Sequence, residues 1–139
     1  MKRILLLLIT VISTFQAYSQ GKAVYISTNY KQECWWNETE QKYDNCTGSE
    51  ESSLFKLNSE GTMFHHTTEK LSSDYYVSKH EHDTINDVYT YDVKSDVGNS
   101  YYFVIDLKNN QFRIVGTTKG DNSQTYMNVY TIKKSWTEE

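Results

Sequence analysis

Past residue 19 the chain has no long stretch with apolar residues at helical spacing. It alternates between apolar and polar residues with a period of two, and this restricts it to sheet. Val24 and Ile26 flank Tyr25, and Phe55 and Leu57 flank Lys56. Tyr89, Tyr91 and Val93 share one face, with Thr90 and Asp92 on the other. Tyr101, Phe103, Ile105 and Leu107 form a second row, continued after a turn by Phe112 and Ile114. Tyr126, Tyr130 and Ile132 line a late strand. Tyr, Val, Ile, Thr and Phe dominate these runs, as a half-buried pleated surface favours.

Turn chemistry separates the runs at Asn58-Ser59-Glu60-Gly61, Asp96-Val97-Gly98-Asn99, Lys108-Asn109-Asn110 and Lys119-Gly120-Asp121-Asn122. The pattern predicts strands over 22–30, 32–37, 42–46, 53–58, 62–68, 73–80, 87–95, 100–107, 110–118 and 124–133. Segment 80–86 reads as a loop or a helical turn. Strand 100–107 is apolar on both faces, so it is expected to be central or covered. The whole is an all-β chain, a single antiparallel meander forming a small barrel or a β-sandwich. No proline guards an edge. Closure would remove the edges, and Lys56, Lys94 and Lys133 could protect an open sheet. In architecture the pattern resembles the small lipocalin-like barrels of secreted bacterial proteins, although no Gly-x-Trp stands near the first strand.

Residues 1–19 read as an address. Met1-Lys2-Arg3 is basic, 4–12 is apolar apart from Thr10, and Ala17-Tyr18-Ser19 offers small residues for cleavage. The apolar run is about half the roughly 20 residues a membrane anchor needs. The expected division is a signal peptide over 1–19 and a single β domain over 20–139, secreted or periplasmic, with no membrane anchor after cleavage. Ser19-Gln20 resembles the junctions of exported proteins from Bacteroidota-type bacteria. Removing Lys2 and Arg3 takes Lys+Arg from 14 to 12 against 18 acids, a net charge of −6. An acidic domain is a poor partner for nucleic acid or anionic membranes.

Cys34 and Cys46 are the two cysteines. Export and an even count favour a disulfide, and a turn near Thr39-Glu40-Gln41 would set them across a hairpin near the N-terminus. The spacing is far wider than Cys-x-x-Cys, and no His lies between them.

Candidate sites are few. His80-Glu81-His82-Asp83 places two imidazoles on one side of an extended chain, where they could share zinc or copper, with a third ligand from His65 or His66. The bland reading is a solvated connection. His65 and His66 must face opposite sides. If Phe64 faces the core, so does His66, and it is expected to hydrogen-bond to Tyr or Thr. Of Trp35 and Trp36, one could close the core while the other stacks on a sugar or anchors a protein. Asn37-Glu38-Thr39 and Asn45-Cys46-Thr47 match N-glycosylation acceptors, relevant only to a eukaryotic route. Asp83-Thr84-Ile85 resembles a short bacterial O-glycosylation site.

No Gly-x-Ser-x-Gly, phosphate-cradling glycine loop or His-Glu-x-x-His is present. Carboxylates such as Asp74, Asp92 and Asp106 are scattered, and the last two are expected to be solvated. The expectation is therefore a non-enzymatic exported β domain without a cofactor, binding a small ligand, a glycan or a protein partner. The alternatives are a zinc- or copper-binding protein and a secreted inhibitor or immunity-type protein. Deleting residues 1–19 should leave a soluble, folded domain. Aggregation of the truncated chain, beside a stable soluble full-length monomer, would overturn the signal-peptide assignment.

Overall fold

The computed structural model describes residues 21–117 and 125–138. The expected signal peptide and the turn at 119–122 lie outside the described residues. Eight strands follow: β1 (Val24–Asn37), β2 (Lys42–Leu57), β3 (Met63–Thr67), β4 (Ser72–Asp83), β5 (Val88–Ser95), β6 (Ser100–Asp106), β7 (Gln111–Gly116) and β8 (Tyr126–Thr137). Each pairs antiparallel with the next, and β8 pairs back onto β1, closing a barrel. One end carries the β1–β2, β3–β4, β5–β6 and β7–β8 connections and is called the Trp35 end below. The other carries the remaining three.

Ten expected strands become eight because two pairs merge. Segments 22–30 and 32–37 are both β1, and 42–46 and 53–58 are both β2. Register shifts between Thr28 and Tyr30 and between Glu33 and Trp35 break the two-residue alternation without ending the strand. Asn45, at the second shift, has φ of 52°. Gly48 looks like a turn residue but sits in mid-strand. A Cβ there would lie 2.0 Å from the Tyr30 hydroxyl, so only glycine lets that ring cross the strand. The chain over 80–83 is also strand, the end of β4, and the turn begins only at Thr84.

Each of the six described turns opens on a side-chain acceptor that holds backbone N–H groups. Asn37 Oδ1 accepts from Thr39 and Glu40, Asp83 Oδ1 from Ile85 and Asn86, and Asp106 Oδ1 from Asn109. Asn58, Thr68 and Ser95 act alike on Thr62, Leu71 and Asn99. The first three turns share one form, ending on Gln41, Asp87 and Asn110 with φ of 52–54°. These local bonds do the work that proline does in other turns. They also correct the expectation for Asp106, which is 6% exposed and whose carboxylate bonds the Asn109 amide instead of facing water.

Phe55, Phe64, Phe103 and Phe112 are fully buried and meet inside the barrel. Phe55 stacks on Phe112 at 4.0 Å between centroids, and Phe64 meets Phe103 edge to face at 5.1 Å. Ile26, Val93, Ile105 and Ile114 complete the plug. In a closed barrel no strand is central, and the outward Tyr102 of β6 is 43% exposed, not covered.

Cys34 and Cys46 form a disulfide, with Cα atoms 4.1 Å apart on the β1–β2 hairpin. Such a bond accords with an extracellular or periplasmic setting. Reduction should lower stability by about 2–4 kcal/mol while keeping the fold. Denaturant titrations with and without reductant, read against far-UV circular dichroism, check this. Two free thiols in protein from an oxidising compartment would contradict it.

A tyrosine-lined barrel end as the candidate functional site

The phenylalanine plug gives way to polar groups towards the Trp35 end. β8 alternates Tyr126, Asn128 and Tyr130 on its inner face. Tyr130 is buried and meets Phe55 at 5.2 Å. β1 supplies Lys31 opposite Tyr130, Glu33 opposite Asn128 and Trp35 opposite Tyr126. Trp35 and Tyr126 meet edge to face at 5.9 Å. Tyr75 of β4 and Tyr101 of β6 meet at 5.9 Å. Gly116 lies between Tyr101 and Tyr126 in the cross-strand row. A Cβ at Gly116 would come within 3.2 Å of the Tyr126 ring, so its absence lets that ring lean across β7 towards Tyr101.

These hydroxyls perturb one another. Burial pushes the Tyr126 phenol up, and the Tyr101 hydroxyl, with Tyr75 and Glu33 near, raises it further. Burial raises Tyr130 as well, assisted by Glu51, Tyr75, Tyr126 and Glu33. Tyr75 rises through burial, Tyr101 and Asp96. Glu51 is held inward by the Ser53 hydroxyl, which donates to it at 3.3 Å. Three buried polar atoms here have no hydrogen-bond partner among the described residues: Thr28 Oγ1, His66 Nε2 and Asn128 Oδ1. Unpartnered buried polar atoms are uncommon and costly in a folded chain.

The four histidines do not converge. Among the described residues, no group of three or more His, Cys, Asp or Glu side chains could hold a metal. His80 and His82 lie on one face of β4, but at the end opposite Trp35. His80 stacks near Tyr91 at 6.0 Å, while His82 lies on Tyr89 at 3.9 Å and bonds Asp87 at 2.9 Å. His66 faces inward with Phe64. Instead of the expected bond to Tyr or Thr, it stacks on Phe55 at 4.2 Å between centroids, in a core of phenylalanine rings that offer no acceptor, and its Nε2 has no partner among the described residues. Trp36 faces away from Trp35, meets Tyr43 at 5.1 Å and donates to Glu38.

His65 faces outward on β3 and joins two side chains of β4. Its Nδ1 meets Asp74 Oδ1, and its Nε2 lies 3.1 Å from Ser72 Oγ. The order is that of a base between a hydroxyl and an orienting carboxylate. Yet the amides of Lys70 and Leu71 in the adjoining turn are taken by Thr68 Oγ1, so they offer no donors to a developing oxyanion. The row continues through Lys56 and Tyr25 to Trp136, which stacks on Tyr25 at 5.3 Å. Above it lies an open groove of about 440 Å³, lined by Ser27, Asn29, Leu54, Thr67, Lys134 and Trp136.

Tyr75, Tyr101, Glu33, Glu51, Gly116 and Asn128 were not legible as a site. Their side chains are ordinary strand residues, and only barrel register brings them together. Burial, with the charge of Lys31 and the neighbouring His65, lowers the His66 pKa from 6.5 to about 4. Between those values the unfolded chain holds a proton that the native chain does not. Stability is therefore complete above about pH 6.5 and falls by up to about 3 kcal/mol as the pH drops towards 4. Denaturant unfolding across this range should show the loss, and His66→Phe should flatten it. An unchanged slope in that variant would assign the pH dependence elsewhere. Comparison with protein-family models, curated proteins and solved structures finds no significant match to this chain.

Proposed function

We propose that this protein is an exported, non-catalytic barrel that binds a small ligand at its Trp35 end. The observation that carries the reading is the inward Asn128 Oδ1, which is buried, lies opposite Glu33 between Tyr126 and Tyr130 in the strand register, and has no hydrogen-bond partner among the described residues. Aromatic walls with a few polar groups aimed inward are the usual composition of a ligand site. The plug of Phe55, Phe64, Phe103 and Phe112 confines any ligand to this end. The Cys34–Cys46 bond pins the hairpin that carries Trp35. Export is supported by that bond and by the signal-like pattern of residues 1–19.

A second reading is a glycan held on the outer wall. The groove beside Trp136, rich in hydroxyls from Ser27, Thr67 and Thr68, favours it. Trp136→Ala should abolish glycan retention there and leave binding at the Trp35 end unchanged.

Native mass spectrometry of protein purified from its source should reveal a retained small molecule. Gly116→Val should remove that adduct by driving Tyr126 across the barrel end, with the fold kept by circular dichroism. An adduct that persists in the variant, or is absent from both proteins, counts against the Trp35 end.

A further inference from the structure

We propose that the ligand held at the Trp35 end is an organic cation, a protonated amine. This rests on the binding reading above and names the ligand class for the same site. The walls are ring faces and edges from Trp35, Tyr75, Tyr101, Tyr126 and Tyr130, and aromatic faces attract cations. Glu33 stands on the inner face of β1 opposite Asn128, and Glu51 accepts a hydrogen bond from the buried Ser53 of β2. An anion entering here would meet two carboxylates, while a cation would be drawn to them.

Hydrogen bonding points the same way. Asn128 Oδ1 can only accept, and it has no donor among the described residues. Thr28 Oγ1 and His66 Nε2 are the other buried side-chain atoms without a partner among the described residues, and His66 is 7% exposed. An ammonium brings N–H donors and positive charge together, which answers both the orphaned acceptor and the carboxylates. The protein already makes one such contact itself. Lys31 Nζ, from the strand position facing Tyr130, lies 6.0 Å from the centre of that ring. Lys31 thus acts as an internal competitor for the cation position.

Matched amine and alcohol pairs test the inference by calorimetry at pH 7 on the purified protein. Suitable pairs are ethanolamine with ethylene glycol, phenethylamine with 2-phenylethanol, and tryptamine with tryptophol. In at least one pair the amine should bind ten or more times more tightly than the alcohol. Glu33→Gln should weaken the amine several-fold and leave the alcohol unchanged. Lys31→Met should strengthen the amine, a gain that misfolding cannot imitate. Equal binding of amine and alcohol, both lost in Gly116→Val, would overturn the cation and leave the binding site standing. No binding by any member of the pairs, with no adduct in protein from its source, would overturn both. A Lys31→Met variant with weaker amine binding and an intact fold would also overturn the cation.

Discussion

Pairing of β8 onto β1 is the interaction on which the rest depends. Those strands run side by side from Val24 opposite Thr137 to Trp35 opposite Tyr126. Closure gives every strand two neighbours, satisfying backbone groups that an open sheet would present at its edges. It also turns an alternating sequence into an inside and an outside. Phe55, Phe64, Phe103 and Phe112, from four different strands, meet only because the sheet returns on itself. With the plug fixed, the inner faces of β1, β4, β6 and β8 beyond it have only polar and aromatic side chains to offer one another.

Much of the architecture was legible from residues 22–133. Rows such as Tyr101, Phe103 and Ile105 announce a strand because a period of two survives any choice of partner. The long β1 and β2 were not legible as single strands. Their shifts at Thr28–Tyr30 and Glu33–Trp35 put successive side chains out of phase, which a one-dimensional pattern reads as an interruption. Gly48-Ser49-Glu50-Glu51 has the composition of a turn, yet pairing with β1 overrides that preference. The Cys34–Cys46 link was legible because the two residues lie close in sequence. The tyrosine-lined end was not, since Tyr75 and Tyr126 are 51 positions apart and only register brings them near.

The two ends of the barrel are chemically unlike. At the Trp35 end, aromatic rings surround inward carboxylates and unpartnered acceptors. At the opposite end His80 and His82 lie against Tyr91 and Tyr89, and Asp87 holds His82. His82, engaged by a ring face and a carboxylate, is already satisfied, whereas Asn128 Oδ1 has no partner among the described residues. The histidines drew attention in the sequence because their chemistry is distinctive as residue types. The barrel end drew none because its chemistry is collective.

The meander also sets the order in which the chain can assemble. Seven of the eight strand pairings join elements adjacent in sequence, and six of the turns between them carry their own side-chain acceptor. Those hairpins close short loops and gain bonds at once. The β1–β8 pairing alone joins the two termini of the domain, and its loop-closure entropy falls due before any of its own contacts form. The seam between β1 and β8 is therefore the one pairing that carries the full loop-closure cost. That same pairing creates the boundary between inside and outside, so an inner surface exists only in the finished molecule.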